Sequence, residues 1–135
     1  MHKRSGIITK INANMVTASF DAYVIQNEVA FILHANERLK SEVIRIRGNL
    51  AELQVYENTG ALKVGEEVEF SGELLSVDLG PGLLGQIFDG LQNPLPVLAQ
   101  KYGFFLKRGT YVKALSENTE WDFTPLIKAG NRLRG

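Results

Sequence analysis

Apolar and polar positions alternate with a period of two through much of the first half of this chain, the pattern of strands with one buried and one wet face. Gly6 to Ile11 is apolar and β-branched, and its spacing places Ile7, Thr9 and Ile11 on one face. Asn12-Ala13-Asn14 reads as a turn, since Asn tolerates positive φ. Val16, Ala18 and Phe20 then alternate with Thr17 and Ser19 to complete a hairpin. Beyond a loop at Asp21 to Asn27, Val29, Phe31 and Leu33 predict a third strand. The cleanest pattern follows. Ile44 and Ile46 alternate with Arg45 and Arg47, Gly48-Asn49 turns the chain, and Ala51, Leu53 and Val55 alternate with Glu52, Gln54 and Tyr56. This is a hairpin with one wet face, whose arginines and acid are placed to pair across strands.

Asn58-Thr59-Gly60 and Val64-Gly65 mark another turn before a strand at Val68 to Phe70, which Gly72 ends, and Leu74 to Leu79 offers one more strand. Six or seven short strands at this spacing predict a mainly β protein whose residues 1–72 form a small closed β-barrel, because closure removes exposed strand edges. Residues 73–135 read as a glycine-rich turn and an irregular, mixed appendage. Within it Pro94 to Lys101 predicts a short helix with Leu95, Leu98 and Ala99 on one side. Phe104 to Leu106 and Tyr111 to Leu115 are strand candidates. A piece this short is marginal alone, so it must pack on the barrel, pack on another chain, or belong to a larger whole. Asn131-Arg132-Leu133-Arg134-Gly135 has no pattern of a natural ending, and the chain reads as a fragment.

Composition narrows the chemistry. Fifteen basic residues balance fifteen acidic ones, which argues against nucleic acid or an anionic membrane as main partner. The chain has no cysteine, so disulfides and thiolate metal sites are excluded. No run approaches the ~20 apolar residues of a membrane span, so no direct membrane insertion is expected.

The glycines cluster between Leu75 and Leu95. Gly80-Pro81-Gly82-Leu83-Leu84-Gly85 spells G-x-G-x-x-G after a strand-like segment. A dinucleotide site needs a helix opening at these glycines and an acid about twenty positions on. Gly90 and Pro94 cut such a helix short, and Gln100, Lys101 and Tyr102 occupy the later zone. The string reads as a turn. No glycine-rich loop ending in Gly-Lys-Ser or Gly-Lys-Thr is present, the string a phosphate loop requires. Asp78 and Asp89, with Glu73 nearby, have the composition of an acid–base pair but read as acceptors of local backbone hydrogen bonds. His2 and His34 lack partners at metal-ligand spacing, and no catalytic set stands out. Arg45 and Arg47, with Tyr23, Phe31 and Tyr56, pose the alternative of an oligonucleotide-binding barrel; zero net charge favours a solvated or partner-facing sheet. Trp121 and Phe123 are either a local plug or an exposed surface.

Leu79-Gly80-Pro81-Gly82-Leu83-Leu84, Ile87 to Gln92 and Pro94-Leu95 resemble the early signature of the catalytic A subunit of V-type (V/A-type) rotary ATPases. Gln54 to Gly60, Gly65-Glu66 and Val68 are similar to the same family in register. Lys107-Arg108-Gly109 and Trp121-Asp122-Phe123-Thr124-Pro125 resemble the start of its subunit-specific insertion. Asn93 stands where the family usually carries arginine, and Ala13-Asn14-Met15 where a Gly-Pro turn is common. The resemblance implies an amino-terminal barrel that joins B subunits in a crown, and an insertion that meets the peripheral stalk. The setting would be cytoplasmic and peripheral to the membrane, with ATP and Mg held by the full subunit and no cofactor in this stretch. Gly80, Pro81, Gly82, Asp89, Gly90, Pro94, Tyr56 and Trp121 are then structural or interface candidates, with no catalytic, cofactor-binding or metal residue among them.

Overall fold

In a computed structural model, which describes residues 4–103, 105, 107–127 and 129–132, six antiparallel strands close into a barrel. They are β1 (Ser5–Asn12), β2 (Met15–Phe20), β3 (Glu28–His34), β4 (Glu37–Arg47), β5 (Leu50–Val55) and β6 (Glu67–Leu74). Their order around the wall is β1-β2-β5-β4-β3-β6, and β6 returns to β1. One helix, α1 (Leu95–Tyr102), follows. His2, Phe104 and Leu106 lie outside the described residues.

Inward residues from all six strands fill the barrel, including Ile8, Val16, Ile32, Leu39, Val43, Leu53, Val55, Val68 and Phe70. Burying each large aliphatic contributes roughly 1.5–3 kcal/mol. Ala18, Ala30 and Ala51 are also fully buried, and such small side chains let large ones from opposite strands interdigitate. Val24 and Leu62, from two loops, join the same cluster. Ser41 faces inward without cost because its hydroxyl donates to the Ala30 carbonyl at 3.0 Å.

Several elements differ from the sequence reading, each for a local reason. In β1 the inward residues are Gly6 and Ile8 while Ile7 is exposed. A bulge between Ile8 and Lys10 then restores Ile11 to the inner side opposite Val16. In β3 the Val29, Phe31, Leu33 set faces the outer side, and Glu28, Ala30 and Ile32 face in. β4 begins seven residues before Ile44, with Leu39, Ser41 and Val43 inward. A second bulge between Val43 and Arg45 sets Ile46 against the core. Gly72 does not end β6: at φ +78° it bends a strand that continues to Leu74. Residues 75–79 and 111–115 form neither strand nor helix. β6 already pairs with both β1 and β3, so the closed wall offers no edge to a seventh strand.

Gly72 bends where it must. A Cβ there would lie 2.5 Å from Arg4 Nη1. That guanidinium meets the fully buried Glu28, whose Oε2 accepts from Arg4 Nη1 at 2.9 Å and from the Gly72 amide at 2.8 Å. Oε1 accepts from Arg4 Nη2 and the Ile25 amide at 3.1 and 3.0 Å. A buried carboxylate is tolerable only when paired and hydrogen-bonded in this way.

Candidate functional site

The appendage meets the barrel through a strap at residues 107–112. Arg108 Nε lies 2.7 Å from Glu37 Oε2 at the start of β4, and its Nη1 donates to the Asn58 carbonyl at 2.9 Å. Gly109 N–H donates to Glu57 Oε1 at 2.7 Å. The Tyr111 hydroxyl donates to Glu57 Oε2 at 2.8 Å and accepts the Lys40 N–H at 2.7 Å. Its ring meets Phe31 edge-on at 6.3 Å. Both oxygens of one carboxylate therefore hold the strap, one through backbone and one through a phenol. Burial first, then the bond to Glu57, pushes the Tyr111 phenol above its ordinary pKa. Outward Phe31 is thus covered, and Arg38 packs on it as well, with its guanidinium 4.5 Å from the ring centre.

At the end of the strap, the Val112 amide donates to Asn93 Oδ1 at 2.8 Å. Asn93 is buried, and its Nδ2 donates to Asp89 Oδ2 at 2.9 Å. Asp89 Oδ1 accepts the Leu91 and Asn93 amides at 2.9 and 2.8 Å. This Asx-type network closes the loop before α1. Pro94 is buried and caps the helix, whose Leu98 faces inward. Pro96 sits in the first turn, where a missing N–H costs nothing.

The other candidates fall in separate places. Gly90 sits in open space. Pro81 begins a three-residue 3₁₀ turn, Pro81–Leu83, and no helix opens at the glycines. Trp121 lies over Gly82, where an added Cβ would come within 3.0 Å of the indole, and Leu115 covers Gly80. The indole is nonetheless half exposed, and Phe123 and Leu126 are 85% and 98% exposed. Tyr56 donates to Glu42, and burial followed by that bond pushes its phenol up to about 12. Arg45 and Arg47 lie 3.7 and 3.9 Å from Glu52 across the hairpin, while Phe31 and Tyr56 engage other partners. No stacking platform is assembled from them. His34 Nδ1 instead contacts Glu66 Oε1 at 2.5 Å. Among the described residues no cluster of three or more His, Asp or Glu is placed to hold a metal, and no helix is long and apolar enough to cross a membrane.

The strap, Glu57 and Asn93 escaped the sequence reading as a working unit. Glu57 was visible only within the family-like stretch Gln54 to Gly60; its role depends on residues more than fifty positions away.

Comparison with known proteins gives this architecture its context. Residues 8–72 match the ATP synthase alpha/beta family, beta-barrel domain. The chain is 54% identical over 133 residues, 98% of its length, to a V-type ATP synthase alpha chain 1 of Treponema pallidum. It is 55% identical over 134 residues, 99% of its length, to the V-type ATP synthase alpha chain of Treponema denticola. A relative in Borrelia garinii is 48% identical over 131 residues, 97% of the chain. The chain spans 23% of the length of each of these three relatives. Six strands close over the matched residues, and through that barrel the chain is similar to the ATP synthase alpha/beta family, beta-barrel domain.

Proposed function

We propose that this chain is the amino-terminal barrel and the start of the insertion of the catalytic A subunit of an ion-translocating V/A-type rotary ATPase or ATP synthase. Its own work is assembly: the barrel joins B subunits in the crown of the hexamer, and the appendage leads toward the peripheral stalk. The observation that carries this reading is identity of 48–55% over 97–99% of the chain, a span that takes in barrel, glycine-rich turn and appendage. A closed barrel suits the role physically, since its internal contacts survive repeated rearrangement of neighbours. The absence of a phosphate-loop string supports placing ATP and Mg in other parts of the subunit, at the cytoplasmic periphery of the membrane. Sedimentation velocity of the chain mixed with a V-type ATP synthase B subunit tests the proposal. A faster-sedimenting complex supports it, and unchanged boundaries at every ratio count against it. A titration with single-stranded DNA at low salt tests the rival reading, which flat binding removes.

A further inference from the structure

We propose that the appendage is a releasable element, latched to the barrel by Glu57 and hinged at Leu75–Val77. This inference stands on contacts within the chain and does not depend on the proposed function.

Three observations carry it. First, among the described residues every member of the barrel's buried apolar cluster comes from the barrel or its loops, and the appendage's buried Leu98 stands outside that cluster. The appendage therefore contributes nothing to the barrel's interior, and the barrel's cohesion does not require it. Second, the strap is held by few and mostly polar links, two of which meet at one side chain. Glu57 accepts the Gly109 amide and the Tyr111 hydroxyl, and the same hydroxyl accepts from Lys40. Arg108 adds the bridge to Glu37. From there the connection runs in series, through Val112 to Asn93, through Asn93 to Asp89, and on to the loop that starts α1. The loop before α1 is thus tied to the barrel through the strap. Third, residues 75–77 join β6 to the appendage as extended backbone outside any helix or strand, with Leu75 and Val77 exposed. The next tie, Asp78 to the Gln92 side chain at 2.7 and 2.8 Å, is internal to the appendage, so the joint falls before Asp78.

A segment with little share in the core and attachment through a handful of hydrogen bonds opens below the free energy of global unfolding. Removing a partner from a charged hydrogen bond costs enough to change that opening equilibrium at least about tenfold. The docked and undocked appendages are thus two states of one chain, and Glu57 sets their ratio.

Hydrogen exchange on the complete chain tests this, comparing it with Glu57→Ala and, as a milder change that keeps the ring, Tyr111→Phe. The expected result is selective. Two amides are bonded across the joint, Lys40 to the Tyr111 hydroxyl and Gly109 to Glu57; the Lys40 amide in Glu57→Ala and the Gly109 amide in Tyr111→Phe exchange at least about tenfold faster, while Val16, Ile32 and Leu53 keep their protection. Unchanged exchange at both overturns the latch. Equal acceleration in appendage and strands overturns the hinge, because barrel and appendage would then be one cooperative unit.

Discussion

Arg4 closes over the fully buried carboxylate of Glu28, with Nη1 and Oε2 2.9 Å apart. The same guanidinium also donates from Nε to the Tyr23 carbonyl at 2.8 Å. One side chain thereby ties the start of β1 to the loop before β3 and to the bend at Gly72. Removing one member of a buried pair is strongly destabilising, because the other is left without compensation. Arg4→Ala leaves Glu28 with only two backbone donors and costs about 2–3 kcal/mol, the lower end reflecting a guanidinium that is a quarter exposed. Glu28→Ala orphans the Ile25 and Gly72 amides and leaves a cavity, at a cost of about 3–5 kcal/mol. Urea denaturation of both variants checks the order.

Two hairpin turns carry alanine where the backbone is left-handed. Ala13 has φ +52° and Ala35 φ +50°, each preceding an Asn in a two-residue turn. An L-residue pays roughly 1–2 kcal/mol there, which glycine avoids while losing part of the gain to its freer unfolded chain. Ala35→Gly therefore raises stability by up to about 1 kcal/mol, read as a higher melting temperature. An unchanged or lower value would mean the turn is relaxed elsewhere.

The opposite effect is expected at Gly6, where a Cβ would lie 2.5 Å from the Ser19 carbonyl oxygen on β2. Backbone cannot yield as a side chain does. Gly6→Ala forces β1 and β2 apart and costs about 1–3 kcal/mol, measurable in the same denaturation series.

Alkaline pH acts through Tyr56. Its phenol is pushed up to about 12 by burial and then by the bond to Glu42, against about 10 in an unfolded chain. A raised folded value means the native state holds the proton more tightly. The contribution is thus whole below pH ~10 and is lost as pH rises through the folded value. Ultraviolet titration of the phenolates should show a component near 12 that disappears in Tyr56→Phe. Tyr111 shifts in the same direction.

Much of the barrel was legible because β2 and β5 bury every second residue without interruption. Where legibility failed, the strand had two apolar faces or a bulge. Val29, Phe31 and Leu33 form as good a hydrophobic set as Ala30 and Ile32, and Tyr111 meets Phe31 from outside; no local rule decides between such faces. In β1 and β4 the bulges shift the parity mid-strand, which pattern alone does not register. The inward start of β4 was hidden by Ser41, a polar residue satisfied only by the Ala30 carbonyl on the neighbouring strand. Helix α1 was readable from its own three apolar positions. The strap was not, since Arg108, Gly109 and Tyr111 gain meaning only from Glu37, Lys40 and Glu57.

Exposed apolar side chains between Trp121 and Leu126 make the appendage prone to association. Trp121 is half exposed and Phe123 and Leu126 almost wholly so, and such groupings favour contact between molecules. Sedimentation should be concentration-dependent. Phe123→Ser with Leu126→Ser should suppress it without lowering the melting temperature, since neither side chain is buried.

The most direct measurement is sedimentation velocity of this chain with a V-type ATP synthase B subunit, run beside an ATP-hydrolysis assay of the chain alone. A mixed complex together with no turnover is the predicted result. Separate boundaries at every ratio, or hydrolysis by the unaccompanied chain, would contradict the account.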